Sequence, residues 1–177
     1  MEQDLRYPIG KFSWGPSDPA AQERGRLIAE IAEAPAKLRA AVAGLNEPQF
    51  ATPYRPGGWT VRQVVHHLPD SHLNSYVRFK LALTEDTPTI KPYFEDRWAA
   101  LPDSQVTPVE TSLALLESLH HRWVMLLRAM SDADFARKLC HPEYGELTLG
   151  KLLTMYAWHG KHHVAHITAL RERMGWK

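Results

Sequence analysis

Apolar side chains recur every three or four residues in four stretches of the chain, which is the period of an α-helix packed on one face. These stretches cover residues 19–45, 61–83, 113–130 and 148–174. The third has the most regular spacing, with inner positions at Leu113, Leu116, His120, Trp123, Leu127 and Met130. Pro35 falls inside the first stretch, so we expect it either to kink that helix or to begin another there.

Capping residues predict the ends of two of these helices. Thr60 is a typical N-cap, and Gln63, three positions later, completes a capping box. We therefore expect the second helix to begin at Val61. Gly175 follows the last apolar position of the fourth stretch and is a typical residue to end a helix, so that helix is expected to end near Met174.

Proline-rich connections separate the four helices. Prolines exclude long helices from residues 47–59 and 84–108, although 94–101 is suited to one short helix. We expect 140–147 to be a loop, since no segment has the alternation of a strand bounded by hairpin turns. The pattern predicts an all-α fold, a four-helix bundle with long proline-rich connecting loops, formed by residues 1–177 as a single domain.

Composition and charge narrow the class of protein. Of the 177 residues, 44% are hydrophobic and 23% are charged, which is ordinary for a globular protein. The formal net charge is +1 and basic residues form no block, so we expect no nucleic-acid partner. The single cysteine, Cys140, fits a reducing compartment. Residues 1–20 lack a signal-peptide pattern and no apolar run could span a bilayer, so we expect a cytoplasmic protein with no membrane partner.

Histidine is concentrated near the end of the chain. Segment 158–166 holds four of the ten histidines, although histidine is only a middling helix former. On a helix, His159 and His163 lie one turn apart on one face, a spacing at which two imidazoles can bind one divalent ion. His162 and His166 form a rival pair with the same spacing. This concentration predicts a transition-metal site.

A stable metal site needs at least three ligands, so a second helix must contribute. Segment 65–72 is the other histidine-rich segment. We expect His67 to complete the site with His159 and His163, leaving at least one coordination position for water or substrate. All-imidazole ligation suits zinc, nickel, copper or ferrous iron better than magnesium or calcium.

Polar residues near His67 are candidates to assist the metal. Asp70 lies one turn later, where it could orient an imidazole or a bound water, or act as a base. Ser71 and Asn74 share the polar stripe of His67 and could contact a substrate. We expect Arg78, further along the same stripe, to form a surface ion pair rather than to hold a substrate carboxylate or phosphate.

The remaining histidines are expected to have supporting or structural positions. His162 and His166 are expected beside the metal or in the substrate pocket rather than bound to the ion. We expect His66 and His72 to face away from the metal site and His120 to fill a core position. We expect surface or loop positions for the last two, His121 and His141.

Two histidine motifs are similar to those of a known family. The run GWTVRQVVHHL at 58–68, followed by DSH at 70–72, closely resembles the second helix of the DinB/YfiT-like proteins. The run YAWHGKHH at 156–163 resembles their last helix. Three shorter stretches also resemble the YfiT branch: YPIG at 7–10, RFKL at 78–81 and RMGW at 173–176. The resemblance covers nearly the whole chain.

The resemblance implies a four-helix bundle that forms homodimers and binds one zinc or nickel ion per chain through three histidines, zinc being the first choice. The family's first ligand stands directly before a Leu-x-Asp motif, which corresponds to His67. The other two stand four apart after a tryptophan, which corresponds to His159 and His163. Related branches carry alanine where this chain has Pro69, a difference that bears on helix geometry there.

Three functions remain open at this point. The family is commonly described as metal-dependent hydrolases, and a hydrolase would turn over a small-molecule substrate without added thiol. Some relatives are described as transferases that join a low-molecular-weight thiol, such as bacillithiol, to electrophiles; the lack of a second catalytic group favours this thiol activation. A non-catalytic metal-binding stress protein would instead close the coordination with a fourth ligand, such as His166, and leave no cavity above the metal.

Overall fold

Four long helices form the body of the protein in a computed structural model that describes residues 4–177. Helix α1 spans Ala21–Val42, α3 spans Val61–Thr84, α6 spans Val109–Ala129 and α8 spans Leu149–Met174. Helix α1 packs against α6 and α8, and α3 packs against the same two helices. The predicted all-α four-helix bundle is confirmed. Along the described residues, no helix combines the length and the apolarity needed to cross a membrane.

Short helices occupy the proline-rich connections. Helix α2 spans Glu47–Phe50, α4 spans Glu95–Ala99, α5 spans Asp103–Val106 and α7 spans Asp132–Phe135. Helix α4 is the short helix that the sequence predicts, and both α4 and α5 pack against α3. The connection between α3 and α6 therefore covers one side of the helix that carries the first histidine motif.

The start of α3 is held by the predicted capping box. The Thr60 side chain accepts a hydrogen bond from the backbone N–H of Gln63, and the Gln63 side chain accepts one from the backbone N–H of Thr60. The Gln63 amide also donates to the Ala99 carbonyl at 2.8 Å, which ties α4 to the first turn of α3. These bonds fix the rotation of α3 about its axis just before His67.

Two of the long helices continue through an internal proline. Pro35 lies within α1 and Pro69 within α3, so Pro35 does not begin a new helix. A proline has no backbone N–H, and it leaves the carbonyl four residues earlier without its helical donor. In α1 this carbonyl belongs to Ile31, and it becomes important at the functional site.

A β-hairpin precedes α8, where the sequence predicts a loop and no strand. Strand β1 spans Lys138–His141, β2 spans Gly145–Thr148, and the two pair antiparallel. The prediction of a loop at 140–147 is therefore wrong. Each strand has only four residues, too few for a recognisable alternation, but buried Leu139 and Leu147 join the core. His141, for which we expected a surface or loop position, is instead buried in strand β1, so that prediction is wrong.

The buried apolar side chains form two clusters at different levels of the bundle. On α3, residues 61–68 belong to one cluster and 76–82 to the other, and on α8 the clusters hold 149–157 and 167–170. The histidines of these helices fall mostly between the two clusters along the chain. The bundle thus has a buried polar layer between two apolar cores.

Candidate metal site

The three predicted ligands meet in this polar layer. His67 on α3 and His159 and His163 on α8 each offer a ring nitrogen, and these nitrogens all lie within 4.8 Å of one another. The Nε2 atoms of His67 and His159 are 3.4 Å apart. Among the described residues, these three form the group of histidine, cysteine and carboxylate side chains arranged to hold an ion.

The cluster has the protonation that metal binding requires. Burial, and then the neighbouring imidazoles, lower the pKa of His67 and His163 well below the ordinary 6.5. Burial lowers the pKa of His159 to about 4. The rings are therefore neutral at pH 7, and neutral imidazole is the form that binds metal. The buried Nδ1 of His163 has no hydrogen-bond partner among the described residues. This donor set fits a divalent cation of the zinc or nickel type.

A chain of hydrogen bonds runs from α1 to the cluster. The Ile31 carbonyl lies 2.7 Å from Nδ1 of His120. Nε2 of His120 lies 2.8 Å from Nδ1 of His72, and Nε2 of His72 lies 3.1 Å from Nδ1 of His159. His72 and His120 are almost completely buried. This chain of hydrogen bonds thus connects all four long helices, in the order α1, α6, α3 and α8.

The direction of every bond in this chain follows from its first member. A carbonyl can only accept, so Nδ1 of His120 donates to Ile31. Burial lowers the pKa of His120 to about 4 and that of His72 well below its usual value, so both rings carry a single proton. Nε2 of His120 must then accept from Nδ1–H of His72, and Nε2 of His72 from Nδ1–H of His159. His159 is left with its lone pair on Nε2, facing His67.

His72 is the functional residue that the sequence misplaces. We expected it to face away from the metal site, as we did for His66. His66 does so and contacts Ser112 through Nδ1 at 2.7 Å, but His72 touches His159. A helical wheel describes angles around α3 alone, whereas α8 crosses α3 so that His159 reaches both His67 and His72. The prediction that His120 fills a core position is correct.

The three polar residues predicted to assist the metal, Asp70, Ser71 and Asn74, differ in their contacts. Burial, followed by the charge of Asp103, raises the pKa of Asp70 to about 6. Within residues 4–177, no hydrogen bond joins the Asp70 carboxylate to the histidine cluster. Ser71 is buried and lies on the wall of a cavity that reaches His159. The Asn74 side chain donates to the Asp70 carbonyl at 2.9 Å.

His162 and His166 lie beside the cluster but outside the group of potential ligands. The His162 ring stacks on Trp158 with centroids 4.3 Å apart, and the His166 ring stacks on Tyr54 at 4.0 Å. Nε2–H of His166 donates to the Arg6 carbonyl at 3.1 Å. This bond joins α8 to the N-terminal segment through one nitrogen of His166 and leaves the other, Nδ1, without a partner among the described residues.

Two separate cavities reach the cluster. One, here called the His163 cavity, has a volume of about 360 Å³ and is lined by His162, His163, His166 and Trp59 among others. The Trp59 ring lies 4.6 Å from that of His67, and its Nε1–H donates to Asp96 at 3.0 Å. The other, here called the His159 cavity, has a volume of about 240 Å³. Two of the three potential ligands, His163 and His159, therefore each line a cavity.

Comparison with known sequences finds a family model and close relatives. The model of the DinB superfamily matches residues 30–167. A Bacillus mycoides (strain KBAB4) protein named "Putative metal-dependent hydrolase" is 54% identical over 174 residues, which cover 98% of this chain and 99% of that protein. A Bacillus cereus (strain 03BB102) protein of the same name is 55% identical over 174 residues, with the same coverage.

Comparison with solved structures gives the same picture. YfiT from Bacillus subtilis, described as "a probable metal-dependent hydrolase with an unusual four-helix bundle topology", matches with a TM-score of 0.94 and 50% identity. The match covers 98% of this chain and 99% of YfiT. TT2238, described as a four-helix bundle protein, matches with a TM-score of 0.59 at 20% identity over 82% of this chain and 98% of its own. This second likeness concerns the fold alone.

Proposed function

The chain belongs to the DinB superfamily, as its histidine motifs predict, and from that premise we propose that it is a metal-dependent enzyme. In this proposal His67, His159 and His163 hold one divalent ion per chain, zinc or nickel. The observation that carries it is the cluster of three neutral imidazoles, two buried and one partly buried, next to two cavities. When bound, such an ion would bring the pKa of a coordinated water or thiol toward neutrality.

Hydrolysis of a small molecule is the first candidate reaction, and the names of the relatives support it. The protein's own residues would orient the ion and the substrate. The hydrogen-bond chain through His72 keeps the lone pair of His159 directed at the ion. Ser71 and Tyr156 lie on the wall of the His159 cavity, where a bound substrate would contact them.

Transfer of a low-molecular-weight thiol, of the bacillithiol type, is the second candidate. Two separate cavities reach the cluster, one at His159 and one at His163, which suits a reaction of two substrates. The cluster contains no carboxylate, and within residues 4–177 no hydrogen bond joins Asp70 to it. A metal-activated thiol needs less help from a general base than hydrolysis does, so this arrangement favours thiol transfer over peptide-type hydrolysis.

A metal-binding stress protein without turnover is less well supported. That hypothesis needs a fourth protein ligand and a closed site. His166 was the expected fourth ligand, but it lies outside the group of side chains that could share one ion. Both cavities also leave space beside the cluster for a substrate. These features support an open, catalytic type of site.

Metal analysis of matched variants tests the proposal. Untagged wild-type protein, loaded and then desalted, is expected to hold about one zinc or nickel ion per chain. His163→Ala is expected to lose the ion, whereas His166→Ala keeps it. Metal-loaded protein is then assayed on activated esters and on electrophiles, with and without a small thiol. Equal metal content in His163→Ala and wild type would exclude the site.

The predictions about assembly and location are separate from this test. Homodimer formation remains a prediction, and sedimentation equilibrium of the metal-loaded protein checks it. We also infer a cytoplasmic location, which fractionation of expressing cells checks.

A further inference from the structure

Arg78 is a buried charge for which residues 4–177 provide no counterion. The sequence predicts a surface ion pair for this residue, but only 8% of Arg78 is exposed, and the prediction is wrong. None of the ion pairs between described residues includes it. Its two hydrogen bonds, to the Tyr156 hydroxyl and to the Lys91 carbonyl, are both 3.4 Å long. A guanidinium stays charged in proteins, and burying it without an anion is costly.

The cavity beside Arg78 presents mainly hydrogen-bond donors. Arg78 lines the His159 cavity together with Ser71, Tyr156 and His141. The Tyr156 oxygen accepts from Arg78, and Ser71 and Ser75 are its other polar neighbours. Nδ1 of His141 accepts from the backbone N–H of Glu143, which places the single proton of the neutral ring on Nε2. Such a wall suits a ligand group that only accepts.

The acidic residues of the cavity do not neutralise Arg78. Glu95 and Glu143 both contribute to the lining, yet both are exposed and neither pairs with the guanidinium. Because both carboxylates are exposed, water and salt screen their charge from the buried guanidinium. The counterion of Arg78 is therefore expected to come from outside the chain.

Other lining residues of the cavity are apolar or aromatic. Phe12, Met155 and Trp158 are among them, and the rings of Phe12 and Trp158 lie 5.5 Å apart. A ligand that fills the cavity thus has an apolar body and one strongly accepting end. With a volume of about 240 Å³, the cavity accommodates a small organic molecule.

We propose that the His159 cavity is a subsite for an oxyanion of the substrate, a carboxylate or a phosphate, and that Arg78 is its counterion. A guanidinium matches two oxygens of such a group at once. Because His159 belongs to the same cavity, an anchored substrate presents its remaining atoms to the metal cluster. This inference rests on the proposed function for its catalytic meaning and assigns the substrate class as small organic anions.

Anion titration of the metal-loaded full chain tests the subsite. Acetate and inorganic phosphate are the probes, added separately in a buffer free of other oxyanions, and tryptophan fluorescence reports binding because Trp158 lines the cavity. We expect Arg78→Gln to weaken binding about tenfold or more, and Arg78→Lys to weaken it less, because lysine keeps the charge but loses the planar fork. Arg128→Gln, an exposed arginine on α6, is the matched control and is expected to bind like wild type. The probe that binds more tightly identifies the anion class.

Thermal unfolding of the same samples provides a second measurement. Because no carboxylate of the described residues pairs with the buried guanidinium, we expect Arg78→Gln to melt no lower than wild type when no oxyanion is present. Addition of the tighter probe should raise the melting temperature of wild type and of Arg128→Gln but not of Arg78→Gln. If Arg78→Gln does not fold, the comparison of Arg78→Lys with wild type decides the question.

The possible outcomes separate this inference from the proposed function. Equal anion affinity in wild type and in Arg78→Gln overturns the subsite. Binding that disappears on metal removal by a chelator, but is insensitive to Arg78, also overturns it while supporting the metal site. Binding that depends on Arg78 in a protein that takes up no metal supports the subsite and overturns the proposed enzyme.

Discussion

His72→Leu interrupts the hydrogen-bond chain at its centre, and its expected effect can be worked out from the structure. Leucine is apolar and similar in size to the imidazole, so packing changes little. The substitution leaves two buried groups without partners, Nδ1–H of His159 and Nε2 of His120. Each unsatisfied group costs about 1–3 kcal/mol, so the free energy of unfolding should fall by about 2–6 kcal/mol.

Metal affinity should also fall, for a different reason. In wild type the bond from Nδ1–H of His159 to His72 keeps the lone pair on Nε2, toward His67. Without His72 the ring can exchange tautomers and rotate. Loss of a hydrogen-bond partner behind a metal-bound histidine typically lowers metal affinity about 10–100-fold. We expect a loss of that size for zinc.

Two measurements and one matched control check this prediction. Zinc affinity is measured by competition with a coloured chelator, and the nitrogen chemical shifts of the imidazole rings report the tautomer of His159 in metal-free protein. His66→Leu is the control, because His66 is also buried on α3 and also loses one hydrogen bond, that to Ser112, but it lies outside the chain. It should lose stability and keep its zinc affinity.

Specific results would refute the reasoning. If His159 in metal-free wild type carries its proton on Nε2, the derived direction of the chain is wrong. If His66→Leu lowers zinc affinity as much as His72→Leu, the loss of affinity comes from general destabilisation of the bundle and not from loss of the hydrogen bond that orients His159.

Three further substitutions have effects that follow from single contacts. Thr60→Ala removes the N-cap of α3 and should lower the free energy of unfolding by about 1 kcal/mol, measured by urea titration. Asp70 has a pKa of about 6 in the folded chain against 3.8 unfolded, so the folded state holds more protons between these pH values and stability falls as pH rises through them. Asp70→Asn should therefore gain stability relative to wild type above this window and not below it; a difference independent of pH would contradict the shift. Gly160→Leu should destabilise by about 1–3 kcal/mol, because even a Cβ there would lie 3.3 Å from Ala34 Cβ and 3.6 Å from His72 Cε1; Gly160→Ala, with its smaller side chain, is the milder control.

Local signals in the sequence were sufficient for most of the fold. The long helices each repeat their apolar spacing over five or more turns, so the pattern is strong even where Pro35 or Pro69 interrupts it. The capping box at Thr60 involves residues three apart and is visible in the sequence alone. The hairpin was missed because its strands have four residues each and are held by pairing with one another and by contacts to Pro88 and Ile90, which are distant in sequence.

The site could be predicted only as far as its residues share a helix. His159 and His163 are four apart on α8, so their common face follows from helix geometry. The choice of His67 as their partner depends on how α3 and α8 cross; the second histidine-rich segment suggested it, and the family resemblance supported it. The contact of His72 with His159 and the burial of Arg78 depend on the same crossing and on the connections that cover it. Residue spacing along a single helix predicts neither the contact of His72 with His159 nor the burial of Arg78.

The hydrogen-bond chain gives a physical reason for Pro35, which helix propensity alone would disfavour. An ordinary residue at this position would donate its N–H to the Ile31 carbonyl, as the next turn of α1 requires. Proline has no N–H, so that carbonyl is free to accept from His120 at 2.7 Å. Through His72, this bond places the proton of His159 on Nδ1 and leaves the lone pair on Nε2, the nitrogen that faces His67. A missing backbone N–H in α1 thus determines which nitrogen of His159 on α8 carries the proton. The packing of the four helices and the orientation of the metal cluster therefore depend on the same hydrogen bonds.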